Sequence, residues 1–299
     1  METVLEIKDL SKHYGRIRAV DQLNLSIPKG KVFGLLGPNG SGKTTTLGMI
    51  LDVINPTSGS FSWFGEGNSH QLRKRIGSIL ETPIFYPYMS GYNNLLAVAK
   101  IKEVPVENIP WVLEKVNLLG RENDPFKNYS LGMKQRLAIA SALLSDPEVL
   151  IFDEPTNGLD PQGIADIRQL IINIANGGKT IILASHLLDE VQRVCDHFAV
   201  LRQGQLIHTG LVADVRNSVP TAEIAAADMA LLGTELSKIQ GVAKATKEGS
   251  KFIVELDDHI NLAAVNTKLV RAGVEVSHLT MVNKNLEQQF LEILAQKRS

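Results

Sequence analysis

Apolar residues change their spacing from one stretch of the chain to the next, and those changes mark its elements. Val4–Leu10, Ala19–Ile27 and Lys31–Leu36 carry short β-type runs, separated by turn residues around Gly15 and at Pro28-Lys29-Gly30. A helix is predicted over Thr44–Leu51, then a turn at Asn55–Gly59, a strand at Ser60–Gly65 with Trp63 in the core, and a strand at Arg75–Leu80. Pro83 discourages helix, and the following Ile84–Tyr92 (IFYPYMSGY) crowds its aromatics into a loop broken by Pro and Gly. Helical segments follow at Asn93–Lys102 and Ile109–Val116. Ser130–Ser145 repeats Met133, Leu137, Ala140 and Leu144 at helical spacing until Pro147 ends it.

Beyond residue 148 the pattern changes again. Val149–Phe152 (VLIF) is wholly apolar, as a central strand of a parallel sheet should be when both faces are covered, and Thr180–Ala184 (TIILA) reads as another buried strand. Between them Asp160-Pro161 open a helix whose Ile164, Ile167, Ile171 and Ile174 form a stripe, and Gly177-Gly178 stop it. Strands alternating with helices predict an α/β fold with a mostly parallel sheet. After a small β unit at Phe198–His208 the composition shifts near Val212–Pro220, which sets a boundary between domains 1–215 and 216–299. The second domain reads β (Thr221–Ala227), α (Met229–Ile239), β (Val242–Lys247), β (Lys251–Leu256), α (Leu262–Ala272) and β (Val274–Val282). That order is a small α+β, split βαβ unit. A last amphipathic helix, Leu286–Leu294, puts Leu286, Phe290 and Leu294 on one face.

Candidate chemistry sits where these elements meet. Gly37–Thr44 reads GPNGSGKT, the G-x-x-x-x-G-K-[ST] phosphate-binding pattern, with an apolar run before it and a helix after it. Gly37, Pro38, Asn39, Gly40, Ser41 and Gly42 would form a tight turn whose backbone N–H groups, lacking only at Pro38, point toward phosphate oxygens, and the helix start at Thr44-Thr45 would add a partial positive charge. Lys43 would bridge the β- and γ-phosphates and the Thr44 hydroxyl would hold Mg2+. Asp153 and Glu154 stand at the carboxyl end of VLIF, the edge at which open parallel sheets bind ligands. There Asp153 can anchor Mg2+ or its water, and Glu154 can take a proton or orient a nucleophile. His186 follows the strand TIILA in the same way.

Composition narrows the partners. The 299 residues are 44% hydrophobic and 21% charged with a formal net charge of −1, so no basic field favours nucleic acid and no direct nucleic-acid role is expected. No run of about eighteen apolar residues occurs, and METVLEIKDL lacks the pattern of a secretory signal, so a cytoplasmic protein is expected. The single cysteine, Cys195, has apolar neighbours and reads as a core residue.

Taken together, YSLGMKQR at Tyr129–Arg136, VLIFDEPTNGLDP at Val149–Pro161 and Ser185-His186 resemble the ATP-binding cassette (ABC) family of transport ATPases over residues 1 to about 215. The resemblance implies a P-loop NTPase cassette with an antiparallel β subdomain and a helical subdomain at about 82–147. It implies that ATP and Mg2+ are bound, with Lys43 and Thr44 in Walker A, Asp153 in Walker B, Glu154 as general base, and His186 at the γ-phosphate. Asp160 would communicate between sites and Tyr14 would stack on adenine. Two residues depart from the family pattern: the signature, usually Leu-Ser-Gly-Gly-Gln, is Tyr129-Ser130-Leu131-Gly132-Met133, and Glu81 stands where glutamine is usual, as a further metal ligand. Both departures, and NLEQQFLEIL at the end, are similar to the branch that exports bacitracin, lantibiotics and related peptides or confers immunity to them, which implies export of a peptide, antibiotic, lipid or similar amphipathic cargo. In this family Ser130 and Gly132 complete the nucleotide site of a second ATP-binding subunit, so a dimer, expected to be a homodimer, around two ATP-Mg is implied. Separate transmembrane permease subunits would hold that dimer on the inner face of the membrane, the aromatic loop Ile84–Tyr92 receiving a short helix from them. The alternatives are a soluble ATP-gated clamp on a ribosome or nucleic-acid complex, and a small-molecule kinase or GTPase built on the same loop.

Overall fold

Strands β1 (Thr3–Tyr14) and β2 (Ile17–Pro28) pair antiparallel, and from Leu23 onward β2 buries alternate residues, Leu23, Leu25 and Ile27. That alternation suits a sheet with one face on the core. The computed structural model describes residues 2–80, 84–216, 221–257 and 260–282. It divides into two units, Met1–Val212 and Ala213–Ser299.

In the first unit β3 (Val32–Leu36) leads to α1 (Lys43–Ile50), β4 (Ser58–Trp63), α2 (His70–Arg73) and β5 (Ile76–Ile79). Helices α3 (Gly91–Lys102), α4 (Asn108–Lys115) and α5 (Leu131–Leu143) follow, then β6 (Val149–Asp153), α6 (Pro161–Asn176), β7 (Thr180–Ser185) and α7 (Leu188–Val194). The hairpin β8 (His197–Arg202) and β9 (Gln205–Leu211) closes the unit, and α8 (Val212–Arg216) starts at its end. One sheet has the order β2-β1-β4 and the other β5-β6-β7-β3-β8-β9. In the second, all neighbours are parallel except the edge strand β9.

Every residue of β3, β6 and β7 is buried, as their unbroken apolar runs require. Val4, Leu23 and Ile27 of the antiparallel sheet share one core with Ile151, Ile182 and Ala199 of the parallel sheet, and Trp63 is buried there, its indole N–H donating to Ile50 O at 2.9 Å. Serine and aspartate caps start the helices that matter for the site: Ser130 Oγ accepts from Met133 N–H at 3.3 Å, and Asp160 Oδ1 from Gly163 N–H at 2.9 Å. A Cβ on Gly77 would lie 2.2 Å from Ala142 O, so α5 crosses β5 backbone to backbone.

The second unit runs β10 (Thr221–Ala226), α9 (Met229–Leu236), β11 (Val242–Glu248), β12 (Lys251–Leu256), α10 (Leu262–Arg271) and β13 (Val276–Val282). Its sheet, β11-β12-β10-β13, is antiparallel throughout, with β12 between the two strands that α9 connects. Ala222, Ile224, Leu232, Leu236, Val254, Leu256, Val265 and Leu269 form its core. The last strand starts at Val276, not Val274, because Val274 N–H still closes the end of α10 on Leu269 O at 3.0 Å after Gly273 turns to φ +81°. Three differences fall in the first unit: α2 and α7 are helices the apolar pattern does not announce, and β1 and β2 extend further toward their hairpin than the predicted strands. The expected helix Leu286–Leu294 lies outside the described residues.

Candidate functional site

Where β3 hands the chain to α1, the loop from Gly37 to Gly42 is shaped by close backbone approaches. A Cβ on Gly37 would lie 2.4 Å from Leu201 O, and one on Gly42, at φ +104°, would lie 2.5 Å from Ala19 O. Side chains are excluded at both. Gly37 N–H donates to Ser185 O at 3.3 Å, which fastens the loop to the end of β7. Because α1 begins at Lys43, the N–H groups of its first turn have no carbonyl one turn back and carry the positive end of the helix dipole.

Lys43 is 5% exposed. Its ammonium donates to Gly37 O at 2.7 Å and Pro38 O at 3.3 Å, and stands 3.4 Å from Glu154 Oε1. Thr44 Oγ1 donates to Asp153 Oδ2 at 2.6 Å, so two oxygens lie side by side at the end of β6. Glu154 follows with φ +49°, a left-handed conformation that is strained for a residue with a Cβ and that clusters at functional sites. Its backbone N–H donates to Ala184 O at 2.9 Å. Its Oε2 accepts from His186 N–H at 3.3 Å and lies 2.8 Å from His186 Nδ1. One carboxylate thus stands between the loop lysine and the histidine that follows β7.

A cavity of about 520 Å3 opens beside this group, walled by Asn39 to Thr45, Glu154, Ile17, Arg18 and Gln203. Ser41 Oγ, buried in the loop, has no hydrogen-bond partner. A glycine cradle, a desolvated lysine and an unsatisfied hydroxyl fit a polyphosphate. Magnesium keeps several waters and takes one or two carboxylates plus phosphate oxygens, a demand that the Thr44–Asp153 pair fits. A second cavity, of about 580 Å3 between α2 and the end of α3, holds none of these residues.

Other predicted residues stand apart. Tyr14 is 49% exposed at the end of β1, paired across the hairpin with Ile17, and Lys12 Nζ sits 5.0 Å from its ring centroid. The described cavity wall on that side is Ile17 and Arg18. Ser130 and Asp160 are exposed helix caps. Gly132 lies against Leu159, whose Cδ2 is 4.0 Å from where a Cβ would stand, and Leu131 lies 3.3 Å from the corresponding point on Gly158. Glu81 lies outside the described residues. Of the aromatic loop, Phe85 packs edge-on against Phe126 with centroids 5.2 Å apart, while Ile84, Tyr86 and Tyr88 are exposed. Cys195 is buried as expected.

One group escapes the sequence reading. Glu190 of α7 is buried, accepting from the hydroxyls of Thr156 and Ser185. On a helix of seven residues following an exposed histidine, a glutamate reads as a solvated charge, and no periodic signal says otherwise.

Comparison with known proteins agrees with this geometry. The family model described as ABC transporter matches residues 20–157. A bacitracin transport ATP-binding protein, BcrA of Enterococcus faecalis, is 36% identical over 98% of this chain and 97% of its own. The lantibiotic transport ATP-binding protein SrtF of Streptococcus pyogenes is 41% identical over 68% of this chain and 89% of its own. Among solved structures, cbiO1 of Clostridium perfringens, part of an ABC transporter complex, superposes with a TM-score of 0.66 at 29% identity, covering 72% of this chain and 91% of that one.

Proposed function

The chain belongs to the ATP-binding proteins of ABC transporters, and from that premise we propose a site-by-site account of how it hydrolyses ATP and what it drives. It is an ATPase subunit of a transporter, and its relatives include bacitracin and lantibiotic transport ATP-binding proteins. Among the described residues no helix is long and apolar enough to cross a membrane. In the proposed reading separate permease subunits hold it at the inner face. The cargo is a peptide antibiotic or a similar amphipathic molecule, supported by the full-length likeness to BcrA. The soluble-clamp alternative is not favoured by these relatives.

The observation that carries the catalytic assignment is Glu154, set between Lys43 and His186 beside the Thr44–Asp153 pair. Backbone N–H groups of Gly40 to Thr44 and the Lys43 ammonium bind and orient the β- and γ-phosphates, neutralising charge as it shifts to the leaving oxygen. Glu154 holds the attacking water in line and takes its proton; His186 keeps the carboxylate turned toward the phosphate. Magnesium, when bound through Thr44 and Asp153, would supply charge neutralisation across the phosphates. Tyr14, next to Ile17 on the hairpin, offers a face for adenine.

Ser130, Gly132 and Asp160 serve a second copy. Ser130 starts α5 exposed to solvent, with an N–H-rich helix start for the γ-phosphate of the facing subunit. Light scattering of the full-length Glu154→Gln variant with ATP and Mg2+ tests this: a mass twice that of the chain is expected, and a monomer at saturating nucleotide would overturn the composite site. The exposed Ile84, Tyr86 and Tyr88 are the proposed seat of a permease helix.

A further inference from the structure

Among the described residues two carboxylates are buried, Asp153 and Glu190. Asp153 is part of the site above; Glu190, 3% exposed, has no place in it. Enclosing a carboxylate is costly unless donors satisfy it, and here the donors come from two loops that the chemistry must hold together. Thr156, 5% exposed, lies two residues after Glu154 in the turn leaving β6, and its hydroxyl donates to Glu190 Oε1. Ser185, fully buried at the end of β7 and directly before His186, donates to Glu190 Oε2 at 2.7 Å and accepts from Leu187 N–H at 3.0 Å. α7 thus reaches back with one side chain to fasten both strand ends.

We infer that Glu190 is a positioning residue for ATP hydrolysis: by holding Thr156 and Ser185 it fixes the separation of the Glu154 and His186 loops, so that the carboxylate and imidazole stay at hydrogen-bond distance. The inference rests on the assignment of Glu154 and His186 above. Between the two loops Glu154 N–H also donates to Ala184 O at 2.9 Å, and the Glu154 side chain contacts His186. Those last contacts are the ones to be positioned and cannot position themselves. Nucleotide affinity depends on the phosphate loop, which Glu190 does not touch, so its loss should fall on turnover alone.

The test compares steady-state ATP hydrolysis and ADP affinity for full-length wild type and for Glu190→Ala and Glu190→Gln, with Glu154→Gln alongside. Glu190→Ala is expected to lower kcat about tenfold or more, the order of loss produced by small misplacements of reacting groups. Its ADP Kd should stay within about threefold of wild type, and Glu190→Gln, which keeps an acceptor for Thr156, should recover most of the rate. A folded Glu190→Ala with wild-type kcat, or one in which kcat and ADP affinity fall together, would overturn the positioning role. Should Glu190→Ala fail to fold, Thr156→Val and Ser185→Ala each remove one tie: lower kcat at unchanged ADP affinity supports the inference, and unchanged kcat in both rejects it. Glu154→Gln separates the two levels. Turnover retained there sinks the site assignment, whereas turnover lost there but kept in the Glu190 variants sinks only the positioning role.

Discussion

Glu154 sits in a backbone conformation that costs about 1–3 kcal/mol for a residue with a side chain, and its neighbours hold it there. The geometry gains a carboxylate aimed across the strand end at Lys43 and His186. The contacts among Lys43, Thr44, Asp153, Glu154 and His186 join residues that sequence motifs single out, because each of those motifs encodes a local backbone demand: a glycine turn, a strand end, a helix start. Glu190 carries no such local signature; its burial is decided by where α7 folds back, which only tertiary packing determines. Tyr14 is intermediate, placed on the right hairpin but with Ile17 and Arg18 forming the described wall. Cys195 allows a simple check of the packing around the site. Burial, then the nearby Asp196 and Glu190 carboxylates, push its thiol well above the ordinary range, so the reactive thiolate is scarce. Native protein is expected to resist iodoacetamide at neutral pH and to label stoichiometrically once unfolded; rapid labelling of the folded chain would contradict that environment.

Among the elements, the central strands were the most legible. VLIF has no polar position to mislead and TIILA only Thr180 at its start, and both are fully buried parallel strands. Helices α2 and α7 are short and lack a full apolar stripe, so periodicity had too few turns to register. The edge strand β5 pairs in parallel with β6 and is tied to it by charge as well: Arg75 Nε donates to Glu148 Oε1 at 2.6 Å, just before β6. That hydrogen bond, reinforced by nearby cations, keeps the Glu148 carboxyl below its ordinary 4.5. With the folded value depressed, the stabilising contribution is fully present above pH 4.5 and is lost as pH falls through the folded value. Both side chains are substantially solvent-exposed, so the effect is small. Melting temperatures measured from pH 6 toward pH 3 should fall less steeply for Glu148→Gln than for wild type; parallel curves would remove the pair from the account.

On the scale of the whole molecule, the first unit carries the nucleotide chemistry and the second a complete antiparallel sheet with its own core. The split βαβ order of that second unit was readable from its alternation of strands and helices, because Asp228, Gly241, Gly249, Asp257, Asn261 and Gly273 punctuate it. In the proposed reading two copies pair around ATP, and hydrolysis is the step that releases them. Everything therefore depends on a single division of labour at the phosphate loop, Lys43 binding and Glu154 reacting. Parallel measurement of ATP affinity and steady-state ATP turnover for wild type, Lys43→Ala and Glu154→Gln tests that division most directly. Lys43→Ala should lose most ATP binding, and Glu154→Gln should bind ATP at least as tightly as wild type while turning it over about a hundredfold or more slowly. Wild-type turnover by Glu154→Gln, or wild-type binding by Lys43→Ala, would contradict the account.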